Sequence, residues 1–306
     1  MLKQAANEYL TLRRELGFKL VDTGELLTSF TAFAAERGDQ VILAETALEW
    51  AAFGSSVQRR HRRLRTLDLF VEHLRAEDDR HQRIPMEHLS PSTKPRRFRP
   101  RIFSADEIDS VLRLTARLHP IRSIRPLTYR TLFGLLFTTG MRIGEALNLQ
   151  LNDIQGDSLT IRQTKFGKSR WLPLHQSTVD ALEYYLTQRN DWVCDNNRLF
   201  LSWSHLRPLS QDAALTTFQS LCAQAGISGA GARRKPRLHD LRHSFATNAL
   251  RRCSADRDAV EQNMLALSTY LGHVSVSSTY WYLEQTPELM RDIANACEHI
   301  QTGAIT

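Results

Sequence analysis

Hydrophobic positions recur at intervals of three and four along the N-terminal part of the chain: Tyr9, Leu12 and Leu16; Leu27, Phe30 and Phe33, running towards Gly38; the shorter segment TALEWAAFG; then Leu64, Leu67, Val71 and Leu74. Such spacing marks one face of a helix, so the pattern predicts a small bundle of four helices. Ser90 to Arg101, SPSTKPRRFRPR, breaks the period with three prolines and five basic residues and reads as a linker. Periodicity resumes at Phe103-Ser104-Ala105-Asp106-Glu107-Ile108, which has the form of a capping box, with Ser104 at the N-cap, Glu107 reaching back and Phe103 stapled to Ile108. The expected organisation is a helical domain over 1–89, a basic linker over 90–102 and a second domain over 103–306.

Beyond Phe103 helical spacing dominates, with one β signal. Ser158 to Thr164 (SLTIRQT) and Ser169 to Leu174 (SRWLPL) flank Lys165-Phe166-Gly167-Lys168, which predicts a hairpin. LHDLRHSFATNAL and the stretch around STYWYLEQTPELMRDIANACEHI read as helices, the second interrupted near Pro287; its last part sets Leu289, Ile293, Ala296 and Ile300 on one stripe. The fold class expected is mainly α with a small β-sheet.

At 306 residues, 42% of them hydrophobic, the chain is long enough for two domains with separate cores. The first residues, MLKQAANEYL, lack the apolar run of a secretory signal. The densest apolar stretch, LFGLLF from Leu132, is too short to span a bilayer, so a cytoplasmic location without a membrane partner is expected. Cys194, Cys222, Cys253 and Cys297 show no CxxC spacing and suggest neither a zinc site nor disulfides.

Charge changes the picture more. The net charge is +7, and the excess is clustered in RRHRRLR from Arg59 and KPRRFRPR from Lys94. A polyanionic partner is favoured, because each neutralised phosphate releases counterions. Arg59, Arg60, Arg62, Arg63 and Arg65, ahead of the leucine stripe of the fourth helix, and Lys94, Arg96 and Arg97 in the linker are the candidate contacts to DNA phosphates. A solvated basic face with no ligand would explain a single run of this kind equally well.

Two short motifs carry candidate chemistry. In RLHDLRHSFATNAL, His239 and Arg242 stand three apart and share a helical face, while Leu238, Leu241 and Phe245 offer another for docking. In TTGMRIGEALNLQLNDI the apolar segment stops at Gly140, Arg142 opens a new helix, and Glu145 is placed to hold its guanidinium. Taken singly, the first is a surface pair and the second a structural ion pair.

Taken together, Arg142 in TGMRIGE, Lys165 in TKFGKSRWLPL, His239 and Arg242 in HDLRH, His273 in LGH and Tyr282 in STYWYLE stand in the order found in tyrosine recombinases, and the chain resembles that phage integrase family over the region from Phe103 onward. The wording around LGH and TYWYLE is most similar to integrases of bacterial mobile elements, and the basic N-terminal region resembles the family's core-binding domain. One departure is RRCSADRDAVEQN, residues 251–263, which makes the interval from Arg242 to His273 longer than the family pattern and is expected to be extra sequence.

The resemblance implies a site-specific recombinase that cleaves and rejoins DNA through a 3′-phosphotyrosine, acting as a homo-tetramer on paired duplex sites. It implies no cofactor and no metal. Concentrated charge on the nonbridging oxygens of the transition state calls for fixed cations, and the planar forks of Arg142 and Arg242 supply them. His239 is the candidate base or phosphate-positioning group, Lys165 the general acid with Lys168 its competitor, and His273 a further phosphate donor. Residues two apart on a helix point about 200° from each other, so Tyr280 and Tyr282 cannot both face the phosphate. The family places the nucleophile nine residues past the LGH histidine, at Tyr282. The terminal stripe implies a helix that folds on its own domain or docks on a neighbouring protomer. A type IB topoisomerase-like relaxing enzyme would use much the same residues, and a DNA-binding regulator would use only the basic helices.

Overall fold

The computed structural model describes residues 1–85, 100–162, 169–192, 196–229, 235–252 and 257–272, with backbone alone for 257–261. The chain divides into two compact units, Met1–Arg97 and Phe98–Thr306.

In the first unit the described residues form four helices, α1 (Leu2–Glu15), α2 (Val21–Glu36), α3 (Ala44–Ala52) and α4 (Val57–Leu74). Leu27, Phe30, Leu64, Leu67 and Val71 are buried on the faces that the spacing predicts. Helix α1 departs from it: Leu2, Ala6, Tyr9 and Leu10 are buried, whereas Leu12 is 47% and Leu16 66% exposed. The helix therefore docks through its N-terminal half, and its last turn runs out past the core before the chain reverses at Gly17. Trp50 of α3 is the centre of this core, with the Phe30 ring edge-on at 5.4 Å and its indole N–H donating to Ser29 Oγ at 3.2 Å.

The second unit opens with the capping box. Ser104 Oγ accepts from the Glu107 N–H at 3.1 Å, Glu107 Oε2 accepts from the Ser104 N–H at 3.0 Å, and Phe103 and Ile108 are both buried beside it. Helix α5 (Ala105–Leu114) follows, then α6 (Arg125–Thr139), whose residues are buried nearly all round, from Thr128 and Tyr129 through Leu132, Phe133, Leu135 and Leu136 to Thr139. A helix without a polar face is the central one of its domain; α8 (Gln176–Asn190) and α10 (Leu238–Arg251) pack against it. Between them come the short α7 (Ile143–Asn148) and a three-stranded antiparallel sheet in the order β1 (Ile154–Gln155), β2 (Ser158–Ile161), β3 (Arg170–Pro173). Leu159 pairs with Leu172 and Ile161 with Arg170. Helices α9 (Gln211–Gln224) and α11 (Arg257–Leu271) complete the described part, with α11 packed on α10.

The chain is mainly helical with a small sheet, and one detail of the sheet differs from expectation. The β2–β3 hairpin has a third strand beside it, and part of the stretch expected to be extra sequence, residues 257–263, is helical as the start of α11. No described helix is long and apolar enough to cross a membrane.

Helix α6 ends at Gly140, which adopts φ +61° and whose hypothetical Cβ would lie 2.5 Å from Phe245 of α10. Gly140→Ala should therefore destabilise the second unit by about 3 kcal/mol, combining roughly 1–2 for the left-handed backbone with overpacking. Urea unfolding midpoints would show it; a loss below about 1 kcal/mol would mean that the α6–α10 contact yields easily.

Candidate active site

The site grows from two helix starts and one helix end. Arg142 is the N-cap of α7: its backbone N–H donates to Glu145 Oε2 at 3.0 Å and its Nη1 to Glu145 Oε1 at 2.7 Å. Helix α10 begins in the same manner, with Arg237 at the N-cap donating its N–H to Asp240 at 2.9 Å and its Nη2 at 2.7 Å. An acidic residue in the first turn meets both the unpaired amides and the positive end of the helix dipole. These two starts present Arg142 from one helix and His239 and Arg242 from the other.

The helix end is that of α11, whose last carbonyls lack partners within the helix. Arg170 Nε donates to Tyr270 O at 3.0 Å, Arg242 Nη2 to Leu271 O at 2.9 Å, and Arg142 Nη2 to Gly272 O at 3.2 Å. Three guanidiniums from three elements thus occupy three successive carbonyls, at the negative end of the helix dipole where cations are favoured. Arg242 is 2% exposed and also donates from Nη1 to Gly140 O at 2.8 Å. The side chain of Arg142 is 35% exposed, so a phosphate can reach it. The two arginines expected to act together do converge here.

Glu145 serves both Arg142 and Arg170, the latter through Nη1 to Oε1 at 3.1 Å and Nη2 to Oε2 at 2.8 Å. Its burial alone would raise the carboxyl pKa, but hydrogen bonds from Arg170 and from the Arg142 N–H, with the charge of Arg170, bring it down to about 2. Arg170 was not expected as a site residue. It shares a strand face with buried Leu172, and an inward charge at that position requires a carboxylate, which is the signal the alternation held.

His239 lies in the first turn of α10 with its ring edge-on to His243 at 4.6 Å. Solvent still reaches its surface, but the protein around it displaces part of the ring's hydration. That displacement, followed by the charges of Arg242, Arg237 and Arg142, pushes its pKa down to about 4 against a smaller upward pull from Asp240. Tyr270 stacks on Phe245 with centroids 5.5 Å apart and donates its hydroxyl to Pro173 O at 3.2 Å; burial pushes that phenol up to about 12. Lys165, Lys168, His273, Tyr280 and Tyr282 lie outside the described residues. Among the described residues no group of three His, Cys, Asp or Glu side chains is arranged to hold a metal ion.

The basic run of α4 divides by partner. Arg60 Nε donates to Gly54 O at 2.9 Å, while Arg63 Nη1 donates to Trp50 O at 2.7 Å with its guanidinium 4.7 Å over the indole. Both hold the end of α3. Arg59 bonds Ser55 at 3.0 Å, Arg62 pairs with Asp22, and Arg65 pairs with Asp68 at 2.7 Å on the exposed side. Lys94, Arg96 and Arg97 lie outside the described residues.

Comparison with known proteins decides what this arrangement belongs to. The phage integrase family matches residues 102–288, more than half of the chain. The chain belongs to the phage integrase family. A candidate integrase/recombinase of Sinorhizobium fredii, y4rB, is 41% identical to this integrase over 307 residues, covering 97% of this chain and 96% of that one. Tyrosine recombinase XerD of Mycobacterium tuberculosis is 33% identical over 210 residues, covering 67% and 63%. The fold is shared with the site-specific recombinase XerH bound to palindromic difH in a post-cleavage complex (TM-score 0.65, 20% identity, 90% of this chain and 79% of that one). It is shared also with the Tn1549 transposon integrase bound to transposon right-end DNA (TM-score 0.62, 18%, 92% and 94%). The integrase is an enzyme, a tyrosine-type DNA recombinase.

Two groups of the site set its acid sensitivity. His239, lowered from 6.5, contributes stability that is complete above about pH 6.5 and is lost as pH falls towards 4; Glu145, lowered from 4.5, adds a loss from about pH 4.5 down to 2. An NMR pH series should find the His239 ring neutral at pH 6 with a midpoint near 4. A midpoint at the ordinary 6.5 would show that neither the loss of hydration nor the guanidinium charges act on the ring.

Proposed function

We propose that this integrase recombines specific DNA sites of a mobile element by a transesterification in which Tyr282 is the nucleophile. The Tyr282 hydroxyl attacks the scissile phosphorus, the P–O5′ bond breaks, and the strand is held as a 3′-phosphotyrosine while the 5′-hydroxyl leaves to attack a partner duplex. The phenol proton passes to His239 and the O5′ atom takes its proton from Lys165. Bond energy is conserved in the covalent link, so the reaction consumes no nucleotide.

The observation that carries this reading is the meeting of Arg142 and Arg242 on the carbonyls of Gly272 and Leu271, directly before His273. A phosphate bound here would meet the positive charge of both arginines, with the half-exposed Arg142 as the donor within reach, where charge accumulates on the nonbridging oxygens in the transition state. With a reference pKa near 10, only about one phenol in a thousand is ionised at pH 7, a deficit of roughly 4 kcal/mol for these groups to offset. His239 is held down to about 4 by lost hydration and positive charge together, so it is neutral and able to accept a proton; a bound phosphate would offset the cations and raise its basicity. Tyr270 is a packing residue, since its hydroxyl is committed to Pro173 O and its ionisation is disfavoured.

Arg59, Arg62 and Arg65, with Lys94, Arg96 and Arg97, are the proposed phosphate contacts outside the site; Arg60 and Arg63 take part more weakly, because α3 already holds them. Assembly on DNA is proposed to be tetrameric and the setting cytoplasmic, with duplex recombination sites as the partners. A related fold, lambda integrase, has been seen as a tetramer on a Holliday junction.

Footprinting on the DNA flanking the integrase's own gene should reveal a protected inverted repeat, and a nicked suicide duplex of that sequence should trap a protein–DNA adduct. Tyr282→Phe should bind it and trap nothing. Adduct from Tyr282→Phe, with none from Tyr280→Phe, would move the nucleophile to Tyr280. Arg142→Ala should lose about 10²–10³-fold in cleavage with affinity nearly kept. Arg242→Ala should lose as much and also lower Tm, because it strips donors from two carbonyls at a buried position. A loss confined to binding would make both mere phosphate anchors.

A further inference from the structure

Arg170 makes three hydrogen bonds within the site. Its Nη1 and Nη2 form a two-pronged pair with Glu145, the carboxylate that also orients Arg142, and its Nε holds Tyr270 O. From the other end of the same strand, Pro173 O accepts the Tyr270 hydroxyl at 3.2 Å, so both ends of β3 are fastened to one residue of α11. The arginine is only 12% exposed, and Gly272 is packed so tightly against it that a Cβ there would lie 2.7 Å from Nη1.

We propose that Arg170 is a positioning residue for strand cleavage: by sharing Glu145 with Arg142 and gripping the last turn of α11, it fixes the Arg142 guanidinium where the scissile phosphate binds. It touches no reacting atom itself. This rests on the recombinase reading above for the role of Arg142, but the linkage it describes stands on the geometry alone. With Arg142 alone, Glu145 would be held by one backbone N–H and one half-exposed guanidinium, whereas a bidentate clamp from a buried strand adds a second donor to each carboxylate oxygen and fixes its plane. A displacement of about 1 Å at a charge-stabilising group costs on the order of a hundredfold in rate.

The test is a double-mutant cycle on the full chain with the suicide duplex, read as single-turnover adduct formation at saturating DNA. Arg170→Ala should slow it about tenfold to a hundredfold with affinity changed less than about threefold. Arg170→Lys, which keeps the charge but not the fork, should recover only part of the rate. The Arg142→Ala, Arg170→Ala double variant should be no slower than Arg142→Ala by more than about threefold, because the second change acts through the first. Additive losses, or full activity in Arg170→Lys, would overturn the proposal. Hydrogen exchange in the DNA-free protein provides a readout that needs no cleavage: the Gly272 N–H, bonded to Thr269 O at 3.0 Å, should lose protection in Arg170→Ala. Unchanged protection overturns the linkage even if the chain cuts no DNA, whereas lost protection in a chain that cuts nothing supports the linkage and sinks the recombinase reading instead.

Discussion

The described catalytic unit depends on how the open end of α11 is satisfied. A helix leaves its last carbonyls without partners, and water usually takes them. Here Arg170, Arg242 and Arg142 take Tyr270, Leu271 and Gly272 in turn. Backbone oxygens are fixed in place by the helix, so they seat the guanidiniums more rigidly than carboxylate side chains would. Because each carbonyl is uncharged, the cations keep their positive charge for an anion, whereas a cluster of acids would have cancelled it.

Glu145 is the necessary exception. One carboxylate between two guanidiniums leaves a net positive charge, yet supplies enough attraction to keep two cations together in a partly dry setting. Partial loss of hydration, and after it this same positive charge, lowers the pKa of His239. The electrostatics of the site therefore favour an anion, and the same field acts on the histidine.

What could be read from the sequence follows from the range of each interaction. The Ser104–Glu107 box and the Arg142–Glu145 pair span three residues, so the chain states them outright. The helical stripes of α2 and α4 were readable for the same reason. Arg170 was overlooked because its carboxylate lies 25 residues away on another element. Leu12 and Leu16 show the opposite error, since a stripe reports what a helix could bury and not where its neighbour stops. The third strand is only two residues long, too short for alternation to show. In α4 a run of arginines looked uniform, yet Trp50 draws Arg63 inward and the carbonyl of Gly54 holds Arg60, assignments that only tertiary structure makes.

The seating of the three arginines also has a bearing on the order of events in synthesis. The donors and their carbonyls are separated by 100, 29 and 130 residues, and every one of the acceptors comes later in the chain than its donor. A nascent polypeptide that has already made Arg142 and Arg242 can seat them on Glu145 and on Gly140 O, but the second acceptor of each arrives only when Gly272 and Leu271 leave the ribosome. The full seating of the three guanidiniums is thus withheld from truncated or half-made copies, a consequence of chain connectivity alone.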